Sequence, residues 1–193
     1  MKTVVAILIA SLSLLSLLSL LSCSRKEAAP IPRAEAWPRP ALYDSVFAPV
    51  DSLPVRILAN ASAPVSVEHK GANTWLTAAY PRLDASIRYT IEPSSPSTLP
   101  AQMKEAMRRM STSVANASFD IQEKDNPAGW HLTLCHTMQQ SPTPVWFFAS
   151  NPRNLISGAI YLERLPASAP RDSVAPVVEA LLRDLVVALD SLQ

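Results

Sequence analysis

The side chains of this chain that could do chemistry are two cysteines, three histidines and 16 carboxylates. Cys23 stands at the end of the apolar run Val4 to Leu21, which Lys2 precedes and Ser22 closes. A positive start, an apolar segment that partitions into the bilayer and a small residue at the cut are the parts of a secretory signal. A cysteine directly after the cut supplies a thiol that takes diacylglycerol, and cleavage then frees its amine for a further acyl chain such as palmitate. Two or three chains anchor stably where one binds only reversibly. The chemistry assigned to Cys23 is therefore lipidation, with residues 1–22 as the signal peptide. About 18 apolar residues also suffice to cross a bilayer. The terminal cysteine, the small residue before it and the Ser24-Arg25-Lys26-Glu27 after it favour the lipoprotein cut over a transmembrane anchor. Ser24 in place of an aspartate leans toward the outer membrane, with the protein facing the periplasm.

The remaining reactive groups make no recognisable constellation. His69, His131 and His136 belong to no HExxH motif, and no Cys/His spacing suits a zinc site. On a strand over Trp130 to Met138, His131, Thr133 and Cys135 point the same way, so His131 and Cys135 could serve as a thiol and base. The plainer reading is a half-buried strand with a small apolar thiol and a surface histidine. Ser157-Gly158 lacks the glycine of a nucleophile elbow, and Asp84, Asp120, Asp125 and Glu163 form no glycosidase pair. Gly71, Gly129 and Gly158 stand alone, which removes the glycine-rich phosphate cradle. No catalytic residue, metal ligand or cofactor is assigned, and an enzyme is not the leading reading.

Composition narrows the partners. Without residues 1–22 the chain has 171 residues, with 16 basic and 16 acidic side chains. That balance gives no electrostatic argument for nucleic acid. With Cys23 lipidated, Cys135 has no disulfide partner, so the fold must rest on its core. There are 18 prolines against 3 glycines, and those at 30, 32, 38 and 40 suit a semi-stiff tether. The domain plan is a signal peptide over 1–22, a lipidated cysteine with a Pro-rich tether over 23–36, and a single domain over 37–193.

The elements that position these groups are legible from Trp75 onward. Asn73 to Tyr80 and Ala85 to Ile91 read as strands around Pro81, the second alternating Ala85, Ile87, Tyr89, Ile91 against Ser86, Arg88, Thr90. A helix is predicted from near Pro100, with Ser97 or Thr98 as cap. Its stripe is Leu99, Met103, Ala106, Met107, Met110 and Val114. Strands are predicted over Ser118 to Glu123, Trp130 to Met138, Pro144 to Ser150 and Leu155 to Leu162. Val145-Trp146-Phe147-Phe148 suits a strand covered on both faces. A closing helix over Ser173 to Asp190 has Asp172-Ser173 as caps and Pro176 in its first turn. Short loops favour antiparallel neighbours. The fold class is α+β, an antiparallel meandering sheet of about five to six strands packed by two amphipathic helices.

Two surfaces remain as contact candidates. Trp37-Pro38-Arg39-Pro40 with Tyr43 joins stiff prolines to aromatics, which either docks along the domain or meets a partner in extended form. The methionine stripe is either core or the adaptable wall of an apolar ligand pocket, which Met103, Met107, Met110 and Phe148 would line. Two function classes follow: an assembly lipoprotein that contacts other envelope proteins, and a carrier or sensor for a small apolar ligand or lipid.

Taken in order, Trp37-Pro38-Arg39-Pro40 with Tyr43, Trp75 with Tyr80-Pro81 and Asp84-Ala85, Pro144 to Phe148, Gly158-Ala159-Ile160-Tyr161 and Asp172-Ser173-Val174-Ala175-Pro176-Val177 resemble the GldD family of gliding motility lipoproteins. The resemblance implies a lipoprotein of the Bacteroidota cell envelope, working with other envelope proteins in gliding and the linked type IX secretion machinery. It brings no catalytic residues. Leu42 departs from the family's glycine after the proline segment, and Ile156-Ser157 replaces a Leu-Arg pair before Gly158.

Overall fold

The computed structural model describes residues 43–114, 117–164 and 171–193, the side chains of the last stretch from Val174 onward. All of them lie in the unit Trp37–Gln193. A short ribbon comes first, β1 (Phe47–Pro49) paired with β2 (Leu58–Asn60). The main sheet has seven strands: β3 (Val65–Lys70), β4 (Asn73–Tyr80), β5 (Ala85–Pro93), β6 (Phe119–Asp125), β7 (His131–Thr137), β8 (Val145–Ser150) and β9 (Asn154–Leu162). Helix α1 (Leu99–Ser113) lies between β5 and β6 in the chain, and α2 (Arg171–Asp190) follows β9.

The strand order is β3-β4-β5-β9-β8-β7-β6, antiparallel at every step. The predicted single meander is thus two meanders joined where β5 pairs with β9. Helix α1 carries the chain from β5 to the far edge at β6. The α+β class stands, with more strands than the five to six predicted. The extra main strand, β3, reads Val-Ser-Val-Glu-His-Lys and is exposed at five of six positions, an edge with little apolar periodicity. The two strands of the ribbon are three residues each, one ending in Pro49.

The sheet is covered on both faces, and the alternation of β8 shows why. Phe147 joins the core formed with α2, where Leu181, Leu185 and Leu189 meet Ile87, Ile91, Ile156 and Ile160. Trp146 and Phe148 point the other way, into a smaller cluster with Ala106 and Met110 of α1, Cys135, Leu155 and Ala159. All six residues of β8 are buried, as its continuous apolar run requires. Leu181 and Leu185 are both fully buried, each contributing about 1.5–3 kcal/mol, so the α2 side is the principal core.

Two helix starts differ from the sequence reading. Thr98 occupies the N-cap of α1 without capping it. Its hydroxyl instead accepts from the amide of Ser95 at 3.0 Å, closing the preceding turn. Helix α2 begins at Arg171, so Asp172 and Ser173 are inside it and Pro176 falls in the second turn. There the missing amide of Pro176 costs one helix bond, to the carbonyl four residues back.

Gly158 in β9 is fixed by close approach. A Cβ there would meet the carbonyl oxygen of Arg88 and the ring of Phe147. The Phe147 ring fills that space and stands edge-on to Tyr89, with 5.0 Å between centroids.

Candidate functional site

The first described residues are locked to the rest of the domain by a buried polar network. Asp184 of α2, 4% exposed, accepts from Asn60 Nδ2 at 2.9 Å and Tyr80 OH at 3.2 Å through one oxygen, and from the Arg183 guanidinium at 3.1 Å through the other. Asn60 Nδ2 also donates to the carbonyl of Asp44 at 2.7 Å. Burial, and then the charge of Asp184, hold the Tyr80 hydroxyl well above its ordinary range. Tyr43 stands edge-on to Tyr80 with 5.0 Å between centroids, and the Arg82 guanidinium lies 5.6 Å from its ring. Of the three partner-contact candidates, Tyr43 is therefore 8% exposed and its ring is used inside the domain. Trp37 and Arg39 lie outside the described residues, as does Cys23.

The thiol and base candidates are not brought together. They are four residues apart on β7, which at about 3.3 Å per residue separates their backbones by about 13 Å. His131 is exposed and its Nδ1 lies 2.8 Å from Asp125 on the neighbouring strand. Cys135 is buried in the α1 cluster. Burial, with the nearby charge of Glu123, pushes its thiol up to about 11, so at neutral pH it is protonated and unreactive. Among the described residues no cluster of three His, Cys, Asp or Glu side chains could hold a metal ion.

The methionines divide. Met103, Ala106, Met110 and Val114 follow the i, i+3, i+4 seam into the α1 cluster. Met107 lies about 100° beyond Ala106 and is 43% exposed, off the predicted stripe.

The feature that sequence reasoning missed is a groove of about 460 Å³ beside α1. Its origin is a mismatch of width: α1 covers β9, β8 and β7 and leaves the same face of β4 and β5 open. The registers place Trp75, Thr90, Ser157 and Phe148 in one row across β4, β5, β9 and β8. The next row is Thr77, Arg88, Ala159 and Trp146. Arg108, Arg109, Thr112 and Ser113 of α1 form the wall, and Phe148 is a lining residue that none of the methionines joins. The arginines are paired: Arg88 with Glu163 at 2.7 Å, Arg108 with Glu105 at 2.7 Å and Arg109 with Glu92 at 3.4 Å. Hydrogen bonds from Ser86 and Arg88 hold the Glu163 carboxyl below its ordinary range. The Arg88 guanidinium also stacks on Tyr161 at 4.5 Å, and Lys70 Nζ lies 5.7 Å from the Trp75 ring. The signal that could have revealed the groove is the row Arg88, Thr90, Glu92 opposite the apolar face of β5.

Among the described residues no helix is long and apolar enough to cross a membrane. The family model described as gliding motility lipoprotein GldD matches residues 27–193. No curated protein matches the chain.

Proposed function

The chain belongs to the gliding motility lipoprotein GldD family, and from that membership we propose that it is a non-enzymatic, lipid-tethered envelope component serving gliding and the linked type IX secretion machinery of a Bacteroidota bacterium. The observation that carries this reading is positional. The matched region starts at residue 27, just after a cysteine that ends a signal-type apolar run and bears no other chemistry.

In this reading Cys23 holds the acyl chains, residues 23–36 lift the domain from the bilayer, and residues 37–193 meet other envelope proteins in the periplasm. The outer membrane is the proposed site, since Ser24 follows the cysteine. Trp37 and Arg39 are the proposed contacts on the tether side. The burial of Cys135, its raised thiol pKa and its distance from His131 support a non-catalytic role. Labelling with radioactive palmitate, followed by membrane fractionation, tests the anchor. Wild-type protein takes label and sediments with membranes, and the Cys23→Ala form takes no label. A membrane-bound, unlabelled wild type would overturn it.

A further inference from the structure

We infer that the groove beside α1 is a saccharide-binding site. Its walls offer aromatic rings and polar groups side by side. Trp75 and Tyr161 are half-buried rings in the lining; Lys70 lies over one face of the former and Arg88 over one face of the latter, so the C–H face of a sugar ring would stack on the other. The hydroxyls of Thr90 and Ser157 have no hydrogen-bond partner among the described residues. Trp146, 9% exposed, lines the inner wall, and its Nε1 is buried without an acceptor among the described residues. An unmade bond to a buried donor costs about 1–3 kcal/mol, so an arriving acceptor, or a water carried in with it, has something to gain there.

The charge pattern selects among ligands. Each lining arginine is paired with a carboxylate, which tempers the pull of the groove on a polyanion. What it presents instead is a fixed mixture of donors and acceptors between aromatic faces. Sugar hydroxyls both donate and accept, which is the complement of that mixture. A volume of about 460 Å³ lies within the range of small-ligand sites and suits a short oligosaccharide. This inference rests on groove chemistry alone and is independent of the anchor at Cys23.

The test is NMR titration of residues 24–193, which lack the apolar run and Cys23, reading the indole N–H signals, with the neutral sugars maltotriose, chitotriose and cellotriose as probes. Inorganic phosphate and a tetra-alanine peptide serve as controls. At least one sugar should shift the Trp75 and Trp146 signals with a millimolar dissociation constant. Trp75→Ala should weaken binding tenfold or more. Trp146→Phe, which removes the donor and keeps an aromatic, though smaller, ring, should weaken it several-fold, with folding checked by the thermal midpoint. The inference is overturned if no sugar shifts these signals, if Trp75→Ala binds as wild type does, or if phosphate or the peptide gives the same shifts.

Discussion

At the scale of single residues, the two cysteines are assigned opposite roles, and each assignment is checkable. In the Cys23→Ala form Cys135 is the only thiol. Its pKa of about 11 predicts that the native protein resists thiol reagents at pH 8 and reacts only on unfolding or near pH 11. Rapid labelling of the folded protein at pH 8 would contradict the burial argument. Gly158 makes a second prediction. The Gly158→Ala methyl must displace both the Phe147 ring and the Arg88 carbonyl, so denaturant unfolding should show a loss of about 1–3 kcal/mol or more, the usual cost of overpacking. A neutral outcome would contradict the close approach of the Arg88 backbone and the Phe147 ring at Gly158. Glu163 titrates in the acid range. Its folded pKa lies below the ordinary 4.5, first through Ser86 and then through Arg88. Its contribution is therefore present above about pH 4.5 and is lost as pH falls through the lowered value. Ser86→Ala should move the Glu163 carboxyl titration upward, as followed by NMR.

At the scale of elements, the network around Asp184 joins β2, β4 and α2, which are distant in sequence. Tyr80→Phe removes one buried bond and should cost about 1 kcal/mol. The hydroxyl of Tyr80 is raised above its ordinary 10.0, so only the unfolded chain releases that proton just above pH 10. Stability should fall as pH rises past 10, and less steeply in Tyr80→Phe. An unchanged alkaline slope in the variant would remove Tyr80 from the account. The strands and helices from Asn73 onward were legible because their apolar residues repeat every second or every three to four positions, as in β4 and α2. Residues 43–70 were not, because three-residue strands and an exposed edge carry no such period. The polar row Arg88, Thr90, Glu92 hinted at an open face, but the extent of the groove was not legible, for a different reason. It exists because α1 is narrower than the sheet it crosses, a property of strand order, and the placement of β9 between β5 and β8 cannot be read from local pattern. Tyr43 was legible as an aromatic beside the tether, but its stacking on Tyr80 needed the fold.

At the scale of the whole molecule, the described domain has two apolar clusters on opposite faces of one sheet and an inert thiol in the smaller one. Such a body is well suited to presenting surfaces, and in the proposed function the lipid decides where they are presented. Loss of Cys23 should leave unfolding midpoints unchanged, since the residue lies outside the domain proposed to start at 37. The central claim is that this domain works as a tethered contact partner in the envelope, and proximity crosslinking in cells tests it most directly, with the lipidated protein compared against the Cys23→Ala form at equal abundance. The account predicts that the lipidated protein captures a reproducible set of envelope proteins and that the folded, unlipidated form loses most of that set. Capture of the same set by both forms, or a lipidated protein that captures nothing, would contradict it.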